Sequence, residues 1–260
     1  MFGICTIALI PCRAEPSSKA EMVTQLLFGD YYKIIEKKRE WLRIETAYEG
    51  YDCWISRNAH FEINEKTFSD LSKNSGMYCT ADLVNIVENK KNNEITSVLL
   101  GSSLPNYRNK NFGFGEHKFI YDGEVSDGNN PNRRNAILQT AFLYLNAPYF
   151  WGGRSPFGID CSGLTQMVYK LCGIKLKRDA RQQAEMGTSL SFIEESLPGD
   201  LAFFDNEDGQ IVHVGIILDN FQIIHASGKV RIDKLDSHGI FNNEMGKHSH
   251  RLRIIKRLLE

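Results

Sequence analysis

The chain has 260 residues, 42% of them hydrophobic and 24% charged, a composition that supports a folded core and excludes a disordered, fibrous or membrane-spanning protein. Its formal net charge of -1 at pH 7, with neither half of the chain strongly basic, argues against nucleic acid as a partner. Six cysteines, at positions 5, 12, 53, 79, 161 and 172, form neither a disulfide spacing nor a CxxC pair, so most read as buried thiols.

The start, MFGICTIALIPCRAE, has a short apolar run without a preceding positive charge, interrupted at Pro11 and Cys12 and too short to span a bilayer. It reads as a first β-strand, which favours the cytoplasm; a leader removed in processing would leave the same start and a periplasmic or secreted protein. Short strands are expected at 4–10, 25–28, 32–37, 41–46 and 53–56, which suggests a small β-barrel over residues 1–60. Residues 61–76 mix polar side chains with Phe61, Ile63, Phe68 and Leu71 and read as an ordered connector. A second set of strands, at 77–80, 82–87, 95–100, 111–114 and 118–121, suggests a second barrel over 77–125, and the polar run GEVSDGNNPNRR marks a boundary.

The last domain, 130–260, opens on a helix from Asn132 that ends before Ala147-Pro148, and a second helix is expected at 161–171 with Gly173 at its C-terminal cap. Strands at 200–204, 211–218, 221–226 and 230–234 then read as a sequential antiparallel meander, followed by one at 252–257. Helices first and a meander after them make an α+β domain.

The glycine-rich, proline-broken loop YFWGGRSPFGIDCSGL delivers Cys161 to the start of the second helix. Unpaired N–H groups and the helix dipole at such an end favour a thiolate and lower the thiol pKa, although a small buried cysteine is the plain alternative. A nucleophilic thiol needs a base and a group that orients it. Of seven histidines only His213 and His225 lie inside strong strand patterns. A hairpin folded about residue 219, with loop 218–220, would place them directly opposite each other, with Cβ atoms about 4.5–5.5 Å apart. Cys161, His213 and His225 could instead be zinc ligands, but no nearby carboxylate or second thiol completes a site, so neither a metal nor another cofactor is expected.

The segments YFWGGRSPFGIDCSGL, KRDARQQ, LPGDLAFF, HVGIIL and IIHASG, in this order, resemble the NlpC-type cysteine peptidases of bacterial cell-wall metabolism. RAEPSSKAEMVTQLLFGD and WLRIETAYEGYDCWI resemble the bacterial SH3-like domains found with one subgroup, the γ-D-glutamyl-L-diamino acid endopeptidases. The resemblance implies a papain-like catalytic domain preceded by two SH3-like barrels. It implies Cys161 as nucleophile, His213 as base, His225 as the residue that orients it, and Tyr149 with the backbone N–H of Cys161 as the oxyanion site. Asp160 and Ser162 would contact the substrate backbone. Asp179 of the RDA segment would face the substrate's free amine, unless it merely caps a helix. Tyr51 and Glu15 of the first barrel would wall off the groove.

The implied partner is a murein peptide, L-Ala-γ-D-Glu-diamino acid, cleaved by a monomer without a membrane span. Two other classes remain open at this point: a wall-binding protein with an inactive peptidase domain, and a thiol acyltransferase or amidase on the same scaffold. The basic end, with Lys247, Arg251, Arg253, Lys256 and Arg257, reads as a solvated strand face rather than as an attractor of acidic fragments.

Overall fold

The computed structural model describes residues 1–73 and 78–259, so the end of the expected connector and Met77 of the expected strand lie outside the described residues. It divides into two compact units: Met1–Asn129 with Gly152–Ser155 and Gly173–Lys175, and Asn130–Trp151 with Pro156–Cys172 and Leu176–Glu260. Among the described residues no helix is long and apolar enough to cross a membrane.

In the first unit, β1 (Phe2–Ile4), β2 (Leu9–Arg13), β3 (Met22–Leu27), β4 (Tyr31–Lys37), β5 (Trp41–Thr46), β6 (Asp52–Ser56) and β7 (Phe61–Ile63) form one antiparallel sheet in the order β3-β2-β6-β5-β4-β1-β7. Alternation along β4 and β5 turns Tyr32, Ile34, Leu42 and Ile44 inward onto Ile10, Leu26 and Ile55. The strand expected at 4–10 is two strands, because the chain leaves the ladder after Ile4 and the Cys5 N–H donates to the Asp30 carbonyl at 2.8 Å. Pro11 is accommodated inside β2 because β6 meets that strand at Arg13↔Trp54, beyond the missing N–H.

Helix α1 (Glu65–Lys73) leads to β8 (Cys79–Thr80), β9 (Val84–Asn89), β10 (Ile95–Leu99), β11 (Asn111–Phe114), β12 (His117–Ile120) and β13 (Val125–Ser126). Four of these make a sheet in the order β10-β9-β12-β11, and β8 pairs with β13. Val87, Val98, Phe112, Phe114 and Phe119 share one core with Ile4, Phe28, Ile63 and Leu71.

The second unit opens on α2 (Arg133–Leu143), capped by the Asn132 side chain, which accepts from the Asn135 N–H at 3.1 Å. Short strand β14 (Arg154–Ser155) falls in the first unit; in the second, β15 (Gly158–Ile159) precedes α3 (Cys161–Leu171), followed by α4 (Ala180–Gln183). Then come β16 (Thr188–Leu190), β17 (Leu201–Asp205), β18 (Ile211–Leu218), β19 (Gln222–Ser227), β20 (Lys229–Asp236), β21 (Gly239–Asn242) and β22 (Lys247–Arg257). The sheet runs β16-β22-β17-β18-β19-β20-β21, and β22 also pairs with β21, so six strands close on themselves. The strand expected at 252–257 therefore starts earlier, at Lys247, because its first half is needed to pair with β21. Its basic residues are engaged locally: Arg251 donates to Asp205 at 2.7 Å, Lys256 to Ser189 at 2.9 Å and Arg257 to Asp200 at 2.7 Å.

The β18–β19 register differs from the expected one. The pairs Gly215↔His225 and Leu218↔Gln222 fold the hairpin about Asn220, and Phe221, expected to begin a strand, belongs to the turn. Asn220 and Phe221 both take left-handed φ, 56° and 51°, which lengthens the turn past Asp219. His213 is therefore diagonal to His225 rather than opposite it. The offset is two residues, so both side chains remain on one face.

Candidate active site

The nucleophile candidate is fixed by the first turn of α3. The Asp160 carboxylate caps the helix by accepting from the Gly163 N–H at 2.6 Å. Arg178 grips the same carboxylate with two N–H groups, at 2.6 and 3.1 Å, and also donates to Ser162 Oγ at 2.8 Å. Gln183 of α4 donates to the Ser162 carbonyl at 3.0 Å and accepts from Thr165 Oγ1 at 2.7 Å, which ties α4 to this turn. Asp160 and Ser162 are thus buried and hydrogen-bonded to Arg178.

The Cys161 thiol is buried, and its pKa is pushed up to about 12. Burial is the main cause and the Asp160 charge adds to it, while the backbone of Val214 and Ser162 and the Arg178 charge pull the other way. The lowered pKa expected from a helix N-terminus is not realised here, because loss of solvent outweighs the local N–H groups. The sulfur nevertheless lies against the backbone of Val214, the residue after His213, where α3 packs on β18.

The imidazole side of the site is a directed chain. His213 Nε2 and His225 Nδ1 are 2.8 Å apart, and His225 Nε2 is 3.0 Å from Asp233 Oδ2. Arg231 anchors that carboxylate, with Nε 2.7 Å from Oδ2 and an η-nitrogen 3.1 Å from Oδ1. Burial pushes the Asp233 pKa up, but hydrogen bonds from His225 and Arg231 outweigh it and hold the pKa below the ordinary carboxylate value. An ionised carboxylate only accepts, so His225 Nε2 carries a proton, and in the neutral ring Nδ1 is then an acceptor. His213 must then donate from Nε2, which leaves the lone pair on Nδ1. Burial first, then the neighbouring His250 and His225, hold the His213 pKa well below its ordinary value, so this ring rests neutral.

The remaining site candidates are distributed as follows. Tyr149 lies within electrostatic reach of Cys161 and Asp160, and burial, followed by those charges, raises its hydroxyl to about 12. Asp179 is partly buried at the N-cap of α4, where its N–H donates to Gln182 Oε1 at 3.3 Å. Tyr51 and Glu15 belong to the first unit, where Tyr51 packs against the barrel core and Glu15 is exposed at the turn after β2.

Sequence reasoning missed three groups. Asp233 supplies a carboxylate beside the histidines, and its signal is a charge in the strand register next to His225, since β19 and β20 pair Ile223↔Asp233 and His225↔Arg231. Arg178 lies in the segment expected to face substrate, yet its guanidinium anchors Asp160. His250 of β22 stacks on His213 with ring centroids 4.1 Å apart and planes inclined by 24°.

Residues 146–248 match the model of the NlpC/P60 family, and residues 12–59 match that of the bacterial dipeptidyl-peptidase SH3 domain. The chain is 29% identical to dipeptidyl-peptidase 6 of Lysinibacillus sphaericus over 89% of this chain and 91% of that one. It is 28% identical to the γ-D-glutamyl-L-lysine dipeptidyl-peptidase of Bacillus subtilis (strain 168), over 78% and 71% of the two chains. A solved NlpC/P60 family protein of Bacillus cereus ATCC 10987 covers 100% of both chains with a TM-score of 0.80 at 18% identity, which shows a common fold.

Proposed function

We propose that this chain, which belongs to the NlpC/P60 cysteine peptidases and carries a bacterial dipeptidyl-peptidase SH3 domain, hydrolyses the γ-D-glutamyl–diamino acid bond of murein peptides that bear a free N-terminal L-Ala. The observation that carries the reading is the hydrogen-bonded chain Asp233–His225–His213, which leaves an accepting lone pair on Nδ1 of a ring whose next residue touches the Cys161 sulfur.

In this mechanism the Cys161 S–H proton passes to His213 Nδ1 as sulfur adds to the γ-carbonyl carbon. The oxyanion is held by the Cys161 backbone N–H and the Tyr149 hydroxyl. Collapse of the tetrahedral intermediate breaks the C–N bond, and the imidazolium proton goes to the departing amine of the diamino acid. Water, deprotonated by His213, then cleaves the thioester, releasing L-Ala-D-Glu and restoring the thiol. Asp179 provides the counter-ion for the substrate's N-terminal ammonium. A requirement for that free amine suits turnover peptides, whose recycling we place in the cytoplasm, rather than intact wall.

The test is hydrolysis of L-Ala-γ-D-Glu-meso-diaminopimelate and of its L-Lys counterpart, with and without N-acetylation. Wild type should release L-Ala-D-Glu from the free peptides only, and Cys161→Ala should release none. Activity in Cys161→Ala would overturn the mechanism, and equal cleavage of the acetylated peptides would overturn the amine requirement.

A further inference from the structure

We propose that His213, His225 and His250 together form an inhibitory binding site for a divalent transition-metal ion such as Zn2+. The inference rests on the catalytic reading only for its inhibitory consequence; the binding site itself is argued from geometry. Each of the three side chains offers a ring nitrogen, and these nitrogens lie within 4.8 Å of one another. They come from β18, β19 and β22, three strands of the closed sheet, so the cluster is built by the fold and not by a flexible loop. Cys161 is not among them, which distinguishes this set from a thiolate site.

The proton arrangement favours ligation. Ser249 Oγ lies 3.3 Å from the Ile240 carbonyl and 2.8 Å from His250 Nδ1, so it can accept from that nitrogen while donating to the carbonyl. In that tautomer His250 keeps a lone pair on Nε2 for a ligand. His225 likewise has its lone pair on Nδ1, with Nε2–H on Asp233, a carboxylate–histidine arrangement that raises the basicity of a metal-ligating ring. His225 thus already holds the ligand tautomer, and His250 takes it by donating from Nδ1 to Ser249 Oγ.

The third changes on binding. For His213 to ligate through Nε2, its single proton moves to Nδ1, with no net gain or loss of protons. Nδ1–H then faces the thiol side, and the ring can no longer accept the Cys161 proton. Zinc–nitrogen bonds of about 2.0–2.1 Å need neighbouring ligand atoms roughly 3.3 Å apart, so the 2.8 Å His213–His225 contact opens slightly and His250 tilts inward. Three imidazoles suit zinc, copper or nickel, and a water completes a tetrahedron.

A second group, Asp236, His238 and His248, also brings ligand atoms within 4.8 Å of one another, but all three residues are exposed, and it serves as the control. Zn2+ affinity is measured on the full chain by competition with a chromophoric chelator, using wild type, Cys161→Ala, His250→Phe and His248→Asn. Phenylalanine at 250 keeps a stacked ring without a ligand atom. Cys161→Ala and His248→Asn should retain tight binding of one ion, and His250→Phe should weaken it about tenfold or more. Where the peptide is hydrolysed, the Zn2+ concentration that halves the rate should rise by a similar factor in His250→Phe, relative to that variant's own metal-free rate. Loss of binding in Cys161→Ala would assign the ion to a thiolate site, loss only in His248→Asn would assign it to the outer group, and unchanged binding in His250→Phe would remove His250; each overturns the proposal. The chelator assay needs no turnover, so it remains decisive if the murein peptide is not the substrate.

Discussion

Replacing His225 by leucine tests the directed proton chain at its centre. The substitution leaves His213 Nε2, now 2.8 Å from an acceptor, facing hydrocarbon in a buried setting. The ring then has two options. It can keep the proton on Nε2 as an unsatisfied buried donor, at about 1–3 kcal/mol, or it can move the proton to Nδ1 and lose the base. During attack His213 becomes an imidazolium, and the missing charge-assisted hydrogen bond withdraws about 1.5–3 kcal/mol from the transition state. The unsatisfied Nε2–H is one group in either tautomer, so this is the whole effect, a fall in kcat of roughly 10–10^2, with KM little changed because the chain touches no ground-state substrate group. His225→Asn restores an acceptor oxygen and should recover most of the loss. The assay is single-turnover release of L-Ala-D-Glu from the free tripeptide, with urea unfolding run in parallel to exclude a misfolded variant. A His225→Leu rate within about threefold of wild type would refute the chain.

Further expectations follow from the same groups. Asp160→Asn preserves the N-cap but removes a negative charge that raises the Cys161 thiol, so the pH midpoint of iodoacetamide alkylation should fall below the parent's; an unmoved midpoint would mean that burial alone sets it. His60, His213 and His250 all have depressed folded-state pKa values, that of His250 at about 4 and each with burial as the first cause. Below about pH 6.5 the unfolded chain therefore binds protons that the folded chain refuses, and stability falls as pH drops, with buried His213 contributing more than the partly exposed His60. Asp233 and Asp236, whose pKa values are lowered, lose their contributions only below about pH 4, so urea midpoints between pH 6.5 and 4 isolate the histidines, and His250→Phe should flatten the slope. An added Cβ at Gly215 would stand 2.7 Å from Ile223 Cδ1 and 2.9 Å from His225 Cβ, so Gly215→Ala should displace His225 and lower kcat about tenfold or more; undiminished kcat would show that the hairpin absorbs the methyl.

What could be read from the sequence follows the range of each physical signal. The bounds of α3 and its Asp160 cap depend on a glycine- and proline-broken loop followed by apolar residues at helical spacing, all local. The hairpin axis was misplaced because Phe221, a good strand former, takes a left-handed turn conformation that strand propensity does not reveal. The thiol pKa was misjudged because a helix N-terminus is visible in sequence whereas burial belongs to the packed sheet. Asp233 and His250 were missed because β20 and β22 bring them to His213 only when the sheet closes. A neutral thiol beside a neutral, depressed imidazole is a poor resting nucleophile, so reactivity must be supplied as the carbonyl accepts the sulfur's electrons. The groups set for that moment are the ones behind the ring, His225 and the Arg231-anchored Asp233, which stabilise the imidazolium only once it forms.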